Sequence, residues 1–155
     1  KTLKISGPLD CKTNYLTIST ENKQEIMKTI ADEMAGCWWQ FGEGKLDYTR
    51  ETLFSEKACA ICSIVSFDKE VQESLSILSY QDLYNYLRTT KKSDSQSYLQ
   101  YIYSVNSLDA FQQFSIPNYL KNNINTSKEY FILTMTAGNL SCIGILFSLP
   151  IFLSH

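Results

Sequence analysis

No Asp, Glu, Lys or Arg follows Glu129, so residues 130–155 form one long uncharged stretch. Few folds can accommodate such a segment. It contains two apolar runs, 130–136 and 140–149, separated by Ala137, Gly138 and Asn139. One reading makes them buried antiparallel strands joined by a Gly-Asn turn, which suits the β-formers on either side. The competing reading is a transmembrane helix, which the charge-free length permits. Gly138 and Asn139 in its interior, Pro150 and the lack of a positive flank all oppose the helix. We therefore expect strands, buried within a globular domain, over residues 130–153.

The rest of the chain supplies the partners for those strands. At 155 residues it fits a single domain, 1–155, large enough for one ordinary core. Its 44% hydrophobic and 19% charged content is globular rather than disordered. Residues 1–18 read as an irregular N-terminal segment, with a short strand candidate at Tyr15, Leu16, Thr17 and Ile18. Ser19 and Thr20 are candidate caps for a helix whose first turn holds Glu21. Ile26, Ile30, Met34, Cys37, Trp38 and Phe41 mark one face of a 3.6-residue period, and Gly42 and Gly44 close it. A strand is expected over 58–67, where β-branched residues follow Cys59 and Cys62. Ser79 with Asp82 resembles a capping box ahead of a short helix striped by Leu83, Tyr86 and Leu87. The polar run 89–97 reads as a solvated loop, and 98–103 as either helix or strand. A further short helix is expected over 107–114, ended by Pro117, with a turn-rich connection at 122–126. The expected fold is α+β: a long amphipathic N-terminal helix packed on a small antiparallel sheet, with short helices beside it.

Several function classes are disfavoured by what is missing. The net charge is −2 and no run of Lys or Arg marks a basic face, so nucleic acid is not an expected partner. His155 is the single histidine and is terminal, which removes the usual base for a serine or cysteine nucleophile. Asp32, Glu33, Glu43, Asp47 and Asp68 are available carboxylates, but Asp32 and Glu33 are adjacent on a helix and face different directions. No motif pairs any of them as glycosidase-type groups. Tyr98, Tyr101 and Tyr103 suit packing better than base stacking. No cofactor is expected.

Five cysteines are the clearest chemical signal. Cys59-x-x-Cys62 lies inside an apolar strand rather than at a helix start, where a redox dithiol would gain its low pKa. A closed zinc site from Cys11, Cys37, Cys59 and Cys62 is conceivable, but only one Cys-x-x-Cys knuckle exists. Structural disulfides among Cys11, Cys37, Cys59 and Cys62 are the plainer reading. Cys37 with Cys59 and Cys11 with Cys62 is one pairing among several, leaving Cys142 as a core thiol. Asn125-Thr126-Ser127 and Asn139-Leu140-Ser141 add two glycosylation-type triplets. Together these favour an oxidising, extracytoplasmic setting. The chain opens at Lys1 rather than Met, from which we expect a processed or trimmed product.

The most distinctive stretch is Trp38-Trp39-Gln40-Phe41-Gly42-Glu43-Gly44-Lys45. It suits either a ligand-binding lip or a structural turn in which Trp38 and Phe41 enter the core, Trp39 caps an edge, and Glu43 and Lys45 hold the turn. It does not fit a phosphate loop, since helix precedes the glycines and the spacing differs from Gly-x-x-x-x-Gly-Lys. Residues 30–47 together with Cys59-Ala60-Ile61-Cys62-Ser63 resemble a group of uncharacterised archaeal proteins that carry an N-terminal membrane anchor. Weaker similarity extends to Tyr84-Asn85-Tyr86-Leu87 and Tyr98-Leu99-Gln100-Tyr101. The resemblance implies an anchored domain facing outward, its anchor lying outside this chain, and brings no catalytic residue with it.

These observations lead to the expectation of a non-enzymatic, membrane-anchored or surface-exposed domain acting through protein–protein contacts. Such a domain should show a contiguous exposed aromatic or apolar patch and lack a polar, concave pocket. The alternatives are a thiol-redox or carboxylate-type enzyme and a cysteine-ligated structural zinc domain.

Overall fold

A computed structural model describes residues 3–4, 12–44, 46–47, 57–103, 123–137 and 140–146. The elements run β1 (Leu3–Lys4), β2 (Asn14–Ile18), α1 (Lys23–Gln40), a single 3-10 turn (Gly42–Gly44), β3 (Leu46–Asp47), β4 (Lys57–Phe67) and α2 (Lys69–Ser74). They continue through β5 (Ile77–Ser79), α3 (Tyr80–Thr89), β6 (Lys91–Ser93), β7 (Gln96–Ser97), α4 (Tyr98–Tyr103), β8 (Asn123–Asn125), β9 (Tyr130–Ala137) and β10 (Leu140–Leu146). The class is mixed α+β.

The main sheet has the order β10-β9-β4-β2. β9 pairs antiparallel with both β10 and β4, so the uncharged C-terminal runs are strands at 130–137 and 140–146. Among the described residues no helix is long and apolar enough to cross a membrane. The sheet is not wholly antiparallel, however. β2 lies parallel to β4, in the register Asn14↔Ser63 to Ile18↔Phe67. A parallel neighbour needs a crossover, and α1 lies within it, which makes β2–α1–β4 a βαβ unit. Residues 14–18, which include the strand candidate Tyr15–Ile18, thus belong to the main sheet.

α1 starts later than the Ser19–Thr20 signal suggests. Asn22 is the cap, its side-chain oxygen accepting from the backbone N–H groups of Gln24 (2.9 Å) and Glu25 (3.4 Å). Thr20 contributes indirectly: its hydroxyl donates to Glu25 (2.6 Å), which holds an acid in the first turn against the helix dipole. Ile26, Met27, Ile30, Ala31, Met34, Ala35, Cys37 and Trp38 are all buried. This arc is wider than a single-face stripe because α1 packs against β4, β9 and β10 on one flank and α3 and α4 on the other. Burying one large apolar side chain contributes about 1.5–3 kcal/mol. Gly42 ends the helix at φ 70°, and Glu43 follows it into the left-handed region at φ 55°.

The satellite elements support this core. Ser79 caps α3 by accepting from Gln81 N–H (3.1 Å). The polar run 89–97 is more than a loop: β6 and β7 pair as a small hairpin. Residues 98–103 resolve as helix α4, with Tyr98, Leu99 and Ile102 buried. β5 pairs with β8. The expected helix at 107–114 and its stop at Pro117 lie outside the described residues.

Candidate functional site

β4 carries the irregularity on which the site depends. Ile61 pairs with Leu133 and Ser63 with Ile132, leaving Cys62 as the extra residue of a β-bulge. An ordinary strand alternates its faces residue by residue, so a bulge allows two successive side chains to share one face. Cys62 and Ser63 are both buried, at 3% and 2% exposure, whereas Ile61 is 47% exposed. Both buried residues engage α1.

Cys62 forms a disulfide with Cys37, one turn from the end of α1, with 5.5 Å between their Cα atoms. This corrects the pairing of Cys37 with Cys59 and of Cys62 with Cys11. The bulge turns residue 62 towards the helix, while residue 59 pairs with Met135 in the β4–β9 ladder. Cys11 lies outside the described residues. Bonding to each other removes Cys37 and Cys62 as thiolate ligands, and among the described residues no cluster of three metal-ligating side chains occurs. The Cys59-x-x-Cys62 dithiol is likewise divided, because one sulfur is committed to Cys37.

Next to the disulfide, Ser63 Oγ donates to Glu33 Oε2 (2.6 Å), and Asn14 Nδ2 donates to both Glu33 oxygens (3.2 and 3.1 Å). Glu33 thereby ties α1 to β4 and to the edge strand β2. Its neighbour Asp32 turns the other way. Asp32 accepts from Tyr98 Oη of α4 (2.5 Å) and pairs with Lys28 one turn back (2.7 Å). Partial burial pushes the Asp32 carboxyl up, but the Lys28 ammonium and Tyr98 hydroxyl outweigh it and hold the group below its ordinary value. Lys28 is raised in turn, chiefly by its hydrogen bond to Asp32. Burial, followed by the bond to Asp32, raises Tyr98.

The two tryptophans of the stretch 38–45 differ in burial. Trp38 and Phe41 are buried at 4% and 3%, and Trp39 is 71% exposed. Glu43 helps hold the turn by accepting from Tyr101 Oη (2.8 Å). Burial and that bond push the Tyr101 hydroxyl up to about 12. Lys45 lies outside the described residues, so its part in the turn does too; Gly42 and Gly44 form the 3-10 turn with Glu43 between them.

Between α1, β2 and β4 lies a cleft of about 270 Å³, lined by Asn14, Asp32, Glu33, Gly36, Cys37, Trp39, Gln40, Cys62 and Ser63. Exposed large apolar side chains do occur, at Tyr15, Trp39, Ile61 and Ile77. Beside Trp39 the cleft combines apolar surface with the polar side chains of Asn14, Asp32, Glu33 and Gln40. Its two carboxylates are adjacent on one helix rather than opposed, and both are engaged by neighbours. Ser63, 2% exposed, donates to a carboxylate at the wall of the cleft. Asn14 and Ser63 carried no sequence signal as partners of Glu33, being 19 and 30 residues away from it.

No protein-family model, curated protein or solved structure matches this chain.

Proposed function

We propose that this chain is a non-enzymatic, extracytoplasmic binding domain that acts through protein–protein contacts. In this reading the long amphipathic helix packed on the sheet is the scaffold, and an N-terminal anchor of the kind carried by the archaeal group it resembles tethers the domain. The Cys37–Cys62 disulfide fits an oxidising compartment, since such bonds rarely persist among cytosolic thiols.

The observation that carries the reading is Trp39. It stands largely in water beside buried Trp38, at the mouth of the cleft, on a helix turn fastened to the sheet by the disulfide. A large aromatic side chain held on a fixed backbone loses little freedom when a partner covers it, and such residues often dominate binding energy. The cleft lining includes two carboxylates and, among the described residues, no Lys or Arg. A partner segment with a basic side chain complements that charge and stacks its cation on the indole.

The test is binding of an array of Lys- and Arg-containing peptides to the wild type, Trp39→Ala and Glu33→Gln. Trp39→Ala should weaken binding by about 2 kcal/mol, roughly 30-fold, while leaving the unfolding midpoint nearly unchanged. Failure of every basic peptide to bind, or equal binding by Trp39→Ala, would overturn the assignment.

A further inference from the structure

We propose that Asn125 is the acceptor of an N-linked glycan. Asn125-Thr126-Ser127 has the acceptor pattern, and the fold places it where a transferase can reach it. Asn125 closes the short strand β8, and the chain then turns through 126–129 before β9 begins at Tyr130. Asn125, Ser127, Lys128 and Glu129 are all exposed, whereas Thr126 between them is buried at 1% and fastens the turn. Its backbone N–H donates to Ser76 O (3.2 Å). Tyr130 adds a second fastening: its hydroxyl accepts from Asn125 N–H (2.7 Å) and donates to Asn125 O (3.1 Å). The acceptor side chain therefore projects from a backbone held on both sides.

The third residue of the pattern is already in contact with the first. Ser127 Oγ donates to Asn125 Oδ1 (2.7 Å), and the Ser127 backbone N–H donates to the same oxygen (3.0 Å). Both bonds engage the carbonyl end of the carboxamide and leave Nδ2 outside the pair. Nδ2 is the atom that must react. The co-substrate is a lipid-linked (di)phosphate sugar. Nδ2 forms a bond to the anomeric carbon, the bond from that carbon to the phosphate oxygen breaks, and the lipid phosphate leaves with the electron pair. A base of the transferase takes the Nδ2 proton, so the side chain becomes a secondary amide. A saccharide on this turn displaces no core residue, because its neighbours 127–129 face solvent. The second triplet differs: Leu140 and Ser141 are already paired with Ala137 and Thr136 in the β9–β10 ladder.

This inference rests on the extracytoplasmic part of the proposed function, and its test separates the two. The full chain, directed by a secretion signal into a eukaryotic host competent for N-glycosylation, is analysed by intact mass and peptide mapping with and without peptide-N-glycosidase. Forced secretion supplies the compartment whatever the natural placement, and thiol alkylation without reductant reports whether Cys37–Cys62 has formed. The expected result is a glycan on the Asn125 peptide, with Asn converted to Asp on enzymatic release. Asn125→Gln and Ser127→Ala should each remove it, and Asn139→Gln should retain it. An unmodified Asn125 in disulfide-bonded, secreted protein would overturn the assignment, as would modification that survives Asn125→Gln and disappears with Asn139→Gln.

Discussion

The two flanks of α1 are fastened by different chemistry. On the sheet side, the Cys37–Cys62 disulfide and the Ser63–Glu33–Asn14 cluster join the helix to β4 and β2. On the helix side, Tyr98 meets Asp32, and Tyr101 meets Glu43 just beyond the helix end. The first flank is covalent and supplemented by hydroxyl and amide donors to the Glu33 carboxylate. In the second, each bond joins a phenol to a carboxylate, and Asp32, Tyr98 and Tyr101 are all shifted from their ordinary values. The polar fastenings of one helix thus include a covalent bond on the sheet side and only hydrogen bonds on the other.

The largest expected effect comes from breaking the covalent flank. A cross-link between positions 25 residues apart removes chain entropy from the unfolded state, and a loop of that order is worth about 3 kcal/mol. Cys37→Ala/Cys62→Ala, or reduction of the wild type, should lower the unfolding free energy by about that amount in a denaturant titration. No change on reduction would mean that packing alone holds this flank.

Next in size is Tyr98→Phe, which removes the hydroxyl from Asp32 while keeping the ring. A hydrogen bond to a charged group contributes about 1.5–3 kcal/mol, and Lys28 and solvent remain to offset part of the loss. This variant also tests the pH behaviour. Asp32 is held below its ordinary value, so its contribution is complete above the normal carboxylate range and is lost as pH falls through the depressed folded value. The tyrosines act in the opposite sense. Tyr98 and Tyr101 are raised, so their contribution is complete below the ordinary tyrosine value of about 10 and is lost as pH climbs through their folded values, about 12 for Tyr101. The wild type should therefore lose stability at both extremes, and Tyr98→Phe should flatten both limbs. Circular dichroism melts across the pH range would show this, and unchanged limbs in the variant would place the sensitivity elsewhere.

The smallest effect belongs to Ser63→Ala. Glu33 keeps both contacts with Asn14, and the buried site accepts a methyl group, so a loss of about 0.5–1 kcal/mol is expected. A loss larger than that of Tyr98→Phe would reverse the ranking of the two polar clusters.

How far such an arrangement can be read from sequence depends on the range of the interaction. The C-terminal strands were legible because a charge-free run interrupted by Gly138 and Asn139 offers few other solutions. Ser79 announced α3 for a local reason, since a cap bonds within three residues. The cap of α1 was harder: Ser19, Thr20 and Asn22 are all competent, and it is Asn22 that accepts from Gln24 and Glu25 N–H. The run 98–103 had no periodicity to distinguish helix from strand, and helix α4 is settled by Tyr98, Leu99 and Ile102 reaching a core built largely by other elements.

By itself the sequence determined the mixed α+β class and a cysteine set fit for cross-linking. Those properties follow from side-chain chemistry and short-range periodicity. Only the tertiary structure decided that β2 runs parallel to β4, that Cys62 rather than Cys59 meets Cys37, and that Glu33 joins Asn14 to Ser63. All three depend on strand register, and a bulge of one residue shifts the faces of everything that precedes it. No local pattern encodes where that residue is inserted, because the pairing across β4 and β9 and the position of α1 above it are settled together.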